Sequence, residues 1–481
     1  LYLVEKKPGF LGLNFHFIKA YRGIMTSAST QSASFDFDID ALIKSLDGIE
    51  MISEPTQVSK LSQDYHTFSP VLTKKLAGKV ADVVVRPENK EQVLKVAGAC
   101  AKHRVPVTVR GAGTGNYGQC VPLCGGVVLD MTHLQEIIWV KPGVARLEAG
   151  VKLAALNKNA REIGWEMRMV PSTYRSATIG GFIAGGSGGI GSVNYGLLSD
   201  TGNITALEVV TLEEEPRIIE LRGSDVQKVN HAWGINGIIT EVEIPLAPAY
   251  DWAELAIAFD DFMTTVKFGQ ALAHSDGIIK KEIGIFASSI PQYFNALKEY
   301  IPEGTHAALL IVSETSLESL KGLVQQYGGK ITYSKSTQDV GKGFSLGEYT
   351  WNHTTLHARS ADSSFTYLQS VFPAENNLQS IEHMYNYFGL EVMIHLEVIR
   401  FKGIVSTPGL QLVKFSNEER LNEIIRYHEQ HGVFIANPHS YYIEEGWKRA
   451  IDPEHLEFKR MVDPFGLMNP GKSKTLLNKT A

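Results

Sequence analysis

Apolar and polar positions change period several times along the chain. ADVVVRP (81–87) is a continuous apolar run that stops at Pro87, the pattern of a strand buried on both faces. ENKEQVLKVAGACAKH follows and sets Val93, Val96, Ala97, Cys100 and Ala101 on one helical face. VPVTVR (105–110) returns to a strand pattern, so this spacing predicts a βαβ unit. GGVVLDM (125–131) and EIIWV read as further strands, and VKLAALNKNAREIG (151–164) as a helix with a glycine stop. ITALEVVTLEEE and a closing strand at 235–248 complete this half, with Pro245, Pro248 and Tyr250 predicting a boundary. From 251 to 430, strands such as AALLIVSE and LEVMIHLEVIR alternate with longer polar helices, as in a separate α+β layer.

One stretch fits neither period. Ser176–Gly196 reads SATIGGFIAGGSGGIGSVNYG, with eight glycines in twenty-one residues. Ordering glycine is entropically costly, so the run needs a physical reason. Ile179, Phe182, Ile183, Ile190 and Val193 argue against a flexible linker. Two GxGxxG matches occur, Gly113–Gly118 and Gly186–Gly191. A dinucleotide-binding Rossmann unit needs a helix opening inside the motif and an acidic residue about twenty positions later. Only eleven residues separate Gly118 from Asp130, and they include Pro122, Gly125 and Gly126. The second match follows no strand, and SVNYGLLSD after it has no helical face, so the context contradicts a nicotinamide site. A glycine turn still suits a pyrophosphate, because successive backbone N–H groups form a concave anion site without lysine. RGAGTG would hold that group, and SATIGGFIAGG would line a flat ring, one extended cofactor across two loops.

Charge and cysteine content narrow the picture. The net charge of −6 over 481 residues leaves no basic footprint for nucleic acid, and no apolar run reaches membrane-spanning length. Cys100, Cys120 and Cys124 make no disulfide framework, which predicts a reducing, cytoplasmic setting. Cys120 and Cys124 read as buried thiols, since no CxxC or flanking histidine accompanies them. The first methionine is Met25, and residues 1–24 are set apart as an extension or processing remnant.

Five segments in order resemble the FAD-linked oxidases and dehydrogenases of the vanillyl-alcohol oxidase / p-cresol methylhydroxylase (PCMH) type, which include glycolate-oxidase-subunit and D-lactate dehydrogenase relatives. They are ADVVVRPENKEQV, VPVTVRGAGTGNYGQ, VPSTYRSATIGGFIAGGSGGIGSVNYGLLSD, GINGIITEVEIPLAP and DPFGLMNPGK. The resemblance implies an α+β protein: a PCMH-type FAD-binding domain of two α/β subdomains at 78–250 and an α+β cap, or substrate, domain at 251–430. Residues 25–77 would pack on the FAD domain, and 431–481 would return to it. Arg110, Gly111, Ala112, Gly113, Thr114 and Gly115 would wrap the pyrophosphate. Pro171, Ser172, Ala177, Thr178, Gly180 and Gly181 would line the FAD, continued by Gly188, Gly191, Ser192 and Tyr195, with backbone contacts from Ile238 and Ile239. The first loop has no histidine and VPSTYRS no cysteine, the usual points of covalent attachment, so FAD is expected to be non-covalent.

The resemblance implies an FAD-dependent oxidoreductase that moves a hydride from a small hydroxylated or carboxylated molecule to flavin, with an unidentified electron acceptor. A double-bond reductase and a flavin-binding protein without turnover are the alternatives. Asn437–Tyr442 (NPHSYY) resembles the Pro-His-aromatic segment that approaches the flavin in sugar-lactone oxidases and cytokinin dehydrogenases, which makes His439, Tyr441 and Tyr442 catalytic candidates. A structural histidine with packing aromatics is the competing reading. In WNHTTLH, His353 and His357 lie one helical turn apart, but the chain lacks the glutamate of HExxH and no metal is expected. His353, His357, His395 and Arg400 are candidate substrate-pocket residues, and strand alternation puts the last two on opposite faces.

Overall fold

The computed structural model describes residues 35–186, 188–339, 343–446 and 453–477. The extension at 1–24 lies outside them. The βαβ unit forms from strand Val83–Arg86, helix Lys90–His103 and strand Val107–Arg110. Asn89 caps the helix by accepting from Gln92 N, and its five predicted core residues are fully buried. Strand Val127–Asp130 inserts between the other two, parallel to both, with Glu50–Ile52 antiparallel on the outer side. Val107–Arg110 is therefore an edge strand. Leu467 and Asn469, from the C-terminal DPFGLMNPGK segment, cover that edge: Val107 N donates to Leu467 O at 2.8 Å, and Asn469 N donates to Val107 O at 2.7 Å.

A second, antiparallel sheet runs in the order Trp139–Lys141, Val144–Glu148, Ile238–Pro248, Ala206–Val210, Ile218–Arg222. Trp165–Met167 joins it against the far end of Ile238–Pro248. Pro245 lies inside this long strand and Pro248 is its last residue, and the next strand, Trp252–Phe259, belongs to another sheet, so the change of sheet falls at the expected boundary. Pro245 falls where that strand changes neighbours, from Ala206–Val210 to Trp165–Met167, so its missing N–H interrupts no continuous ladder.

The third sheet has nine strands. Its order is Lys330–Lys335, Trp252–Phe259, His306–Ser313, Lys280–Phe286, His395–Glu397, Pro408–Lys414, Phe365–Val371, Phe434–Ala436, with Val392–Met393 paired to Pro408–Lys414. Helices Phe262–His274, Leu317–Gln326, Asn377–Phe388 and Glu418–Gln430 share one core with this sheet. Phe434–Ala436 belongs to this sheet, so the chain completes it before turning back towards Val107. LEVMIHLEVIR is broken into Val392–Met393, His395–Glu397 and Ile399–Phe401, and the last pairs with Ile404–Ser406 in a separate ribbon. The expected alternation between His395 and Arg400 therefore does not carry through.

Candidate functional site

The loop after Val107–Arg110 is shaped by what its glycines omit. Gly113 has φ +68°, and a Cβ there would meet the Arg110 guanidinium at 2.1 Å. That guanidinium donates to Gln63 O at 2.5 Å and to Ala112 O at 3.4 Å. Arg110 therefore braces the loop through its side chain and is not among the residues that line the cleft. A Cβ on Gly111 would lie 2.2 Å from Thr178 Oγ1 and 3.6 Å from Gly181 Cα, so the bare backbone of the first loop packs directly on the start of the second glycine segment.

Much of the second segment is a helix, Ile179–Gly185, and not the open loop expected. Thr178 caps it, accepting from Gly181 N at 3.3 Å. Its glycines answer two different needs. Gly180 packs on the sheet beneath, where a Cβ would sit 2.7 Å from that of Ala149. Gly185 faces a cleft, and its missing Cβ has nothing within 4 Å.

That cleft has two arms, both lined by Thr114, Gly115, Gln119, Gly181, Gly185 and Trp233. Gly111, Ala112, Gly113, Thr178, Gly180 and Ile239 line the narrow arm, of about 90 Å³. Pro171, Ser172, Ala177, Gly188 and His353 line the broad arm, of about 770 Å³. These residues the fold brings together. The narrow arm offers bare glycine backbone for a pyrophosphate, and at Gly185 a Cβ would enter space the protein leaves open. This donor set fits FAD.

Other expected contacts lie elsewhere, each for a local reason. Gly191, at φ +110°, is pressed against Arg168 O, which a Cβ would approach to 2.0 Å. Ser192 Oγ accepts from Gly189 N at 2.9 Å within the turn, and Tyr195 sits under Arg168 at 5.5 Å. Ile238 is fully buried in the core of the first sheet.

The three catalytic candidates also turn away from the cleft. His439 is buried, with Nδ1 2.8 Å from Ser69 Oγ and Nε2 3.0 Å from Tyr367 O. Burial pushes its imidazole down to about 3 and keeps it neutral, so Nε2–H donates to the carbonyl while Nδ1 accepts from the serine hydroxyl. Both nitrogens are committed to structure. Tyr441 packs against the Leu72, Leu76 and Val121 cluster, and Tyr442 lies under Lys474 at 4.8 Å.

Of the cap candidates only His353 lines the cleft; burial lowers its pKa despite Glu348 at 3.7 Å. His357 sits near Glu348 O at 2.9 Å and stacks on Tyr349 at 4.4 Å. Arg400 reaches Asp276 at 2.7 Å and Val193 O at 3.2 Å, clamping the ribbon to its neighbours. His395 is fully buried, stacked on Phe286 at 4.4 Å behind the wall.

Several wall residues escaped the sequence reading. Tyr117 donates its hydroxyl to Gln369 Oε1 at 2.7 Å, strapping the first loop to the cap sheet. Trp351 and Glu397 complete the cap side. His231, Trp233 and Trp351 all line the broad arm in the left-handed region, at φ +54°, +51° and +53°. Such strain in side-chain-bearing residues concentrates where a binding wall fixes the backbone. Glu397 carried a signal, a carboxylate in the middle of the apolar run LEVMIHLEVIR. Among the described residues no group of three or more His, Cys, Asp and Glu side chains is placed to hold a metal ion, and no helix is long and apolar enough to cross a membrane.

Comparison with known proteins agrees with this geometry. Residues 81–219 match the family described as FAD binding domain. The chain is 32% identical over 207 residues to glycolate oxidase subunit GlcD of Escherichia coli K12, covering 41% of this chain and 41% of that protein. It is 31% identical over 180 residues to D-lactate dehydrogenase of Anaerostipes hadrus, covering 35% of this chain and 37% of that protein. The alignment thus spans about two fifths of the length of these relatives. In fold it is similar to alkyldihydroxyacetonephosphate synthase, with a TM-score of 0.70 at 15% identity, over 90% of this chain and 85% of that one. The glycine loop and the capped helix lie in the matched stretch, with Trp233 and Ile239 closing the narrow arm from beyond it, and this chain carries a PCMH-type FAD-binding domain, with FAD as its cofactor.

Proposed function

We propose that the chain is an FAD-dependent dehydrogenase or oxidase whose substrate, a small hydroxylated or carboxylated molecule, enters the broad arm. One observation carries this reading: the glycine-walled arm opens directly into a cavity of about 770 Å³ walled on the far side by the cap. Bound flavin supplies the acceptor for a hydride, and the chain supplies orientation, exclusion of water and proton handling. Residues 78–250 serve as the FAD module and most of 251–430 as the cap. Trp351, Phe401 and Leu410 offer an apolar cap wall, with Gln369 and Asn352 as neutral hydrogen-bonding groups. FAD is held non-covalently: residues 111–119 contain no histidine, and burial pushes the Cys120 thiol, which lines the narrow arm, up to about 12.

The test is the visible spectrum of the purified protein, repeated after acid precipitation, followed by anaerobic addition of alcohols and hydroxy acids. A flavin band that passes wholly to the supernatant and is bleached by one substrate class is the expected result. Flavin that stays in the pellet overturns the non-covalent assignment. Flavin reduced by added donors, with electrons passing to an activated double bond and never from an alcohol, makes the protein a reductase instead.

A further inference from the structure

Two carboxylic side chains meet behind the cap wall. Glu397, on the strand His395–Glu397, lines the broad arm and is 1% exposed; Glu282, on the neighbouring strand Lys280–Phe286, is 4% exposed. Gly284 on that strand pairs with Glu397 across the ladder, so Glu282 and Glu397 lie on the same face as diagonal neighbours, each acting on the other's titration. Among the described residues neither Glu282 Oε1 nor Glu397 Oε2 has a well-aligned N–H or O–H donor, and the Trp351 indole is the one neutral group that lowers Glu282. Two carboxylate oxygens cannot bond each other unless one carries a proton. The other Glu397 oxygen, Oε1, accepts from Trp351 N and lies 2.7 Å from His395 Nε2.

Among the described residues no cation is paired with either carboxyl. Burial pushes His395 down to about 3, so its ring is neutral and brings no positive charge to Glu397. On the strand of Glu282, Lys280 donates to Ser275 O and Lys281 is paired with Glu166. Glu397 and His395 are the titratable groups acting on Glu282. A second carboxylate charge would face the first in a dry site, so ionising both is strongly opposed. Burial, with the charge of Glu397 adding to it, holds Glu282 far above the usual carboxylate range. Burial also raises Glu397, to about 7, although the bonds from Glu282 and Trp351 lower it.

The geometry points to a proton-sharing site: Glu282 and Glu397 hold one proton between them at neutral pH, and Glu397 presents that site to an uncharged hydroxyl ligand in the broad arm, in preference to an anion. The ligand preference rests on the proposed substrate role of that arm. Its remaining charges agree. Arg175 is the one arginine or lysine among its described lining residues, and it pairs with Glu348 at 3.3 Å, leaving Glu397 as the carboxylic residue that the strands of the cap sheet contribute to the described lining. A carboxylate ligand would meet a site that already resists one negative charge. A hydroxyl can donate to Glu397 when the pair holds one proton.

Infrared titration of the carboxylic C=O stretch in the flavin-loaded protein tests this, with the visible spectrum recorded on the same sample. Expected is a carboxylic-acid band that persists well above the range of ordinary carboxyls, changes between about pH 6 and 8, and loses that change in Glu397→Gln. With 1-phenylethanol as the probe the band shifts, and with mandelate, its carboxylated analogue, it does not. No such band in the wild-type protein overturns the site without any variant having to fold. A band unchanged in folded Glu397→Gln overturns the assignment to this pair. A shift with mandelate, or with neither probe, overturns the ligand preference. A colourless protein that keeps the band overturns the flavin reading alone, and a yellow protein without it overturns the pair alone.

Discussion

Leucine in place of Gly185 separates the flavin cradle from the fold that carries it. Gly185 is the last residue of helix Ile179–Gly185, and no heavy atom lies within 4 Å of its missing Cβ. Leucine is favoured over glycine in a helix by about 0.8 kcal/mol, so the flavin-free protein should keep its Tm or gain slightly. The four added carbons enter the arm of about 90 Å³ that Gly111 and Gly181 also line. Overfilling a close-fitting space costs about 1–3 kcal/mol, which converts to roughly 5- to 150-fold weaker FAD binding. Stripped protein titrated with FAD, followed by flavin fluorescence, reads the second effect, and thermal melts read the first. Gly180→Ala is the control with opposite character, because its Cβ would lie 2.7 Å from Ala149 Cβ and 3.0 Å from Ala149 O. It should lower the flavin-free Tm, at a cost of about 1–3 kcal/mol. Wild-type FAD affinity in Gly185→Leu, or a lower Tm without flavin, refutes the reasoning.

Three further outcomes follow from the same geometry. Thr178→Val removes the cap on Gly181 N and should cost about 1 kcal/mol in urea unfolding, with an unchanged midpoint refuting the cap's role. His439→Ala breaks the bridge between Ser69 and Tyr367 and should cost about 1–3 kcal/mol while flavin content stays the same. Because the folded His439 is lowered from 6.5 to about 3, the unfolded chain binds its proton first; stability is lost as pH falls from 6.5 towards 3, and the variant should lose it less steeply. Glu397 has the opposite sign. Its carboxyl is raised from 4.5 to about 7, so stability present in acid is lost as pH rises through that window. Glu397→Gln should flatten this decline in urea denaturation, and parallel profiles for the two proteins would count against it.

The parts legible in the sequence are those where backbone geometry dictates residue type. The run at 81–87, the helix face Val93–Ala101 and the glycines at 111–115 each follow from a period or a forbidden Cβ, and they mark the matched FAD-binding stretch. The cap side of the cavity obeys no such local rule. Trp351, Gln369 and Glu397 come from three separate elements, and only the order of the nine-stranded sheet makes them neighbours. His439 misled for a related reason. A proline–histidine–aromatic segment has the same letters whether its imidazole faces a ligand or closes a bond to Ser69, and the turn after Phe434–Ala436 decides which. The glycine run itself combines two causes that composition cannot separate. Gly189 and Gly191 yield to the backbone of Val170 and Arg168, whereas Gly185 yields to the cleft.

The bonds from Val107 to Leu467 and Asn469 have a consequence for how the protein is made. The edge of the first sheet is closed by residues 360 positions later in the chain. At about 5–20 residues per second, the ribosome needs roughly 20–70 s to supply them. Throughout that interval the nascent FAD module exposes an unpaired strand edge beside the site it will form. A fragment cut at the limits of the matched family, 81–219, would keep that edge open for good and should self-associate, although it holds the glycine loop and the capped helix intact.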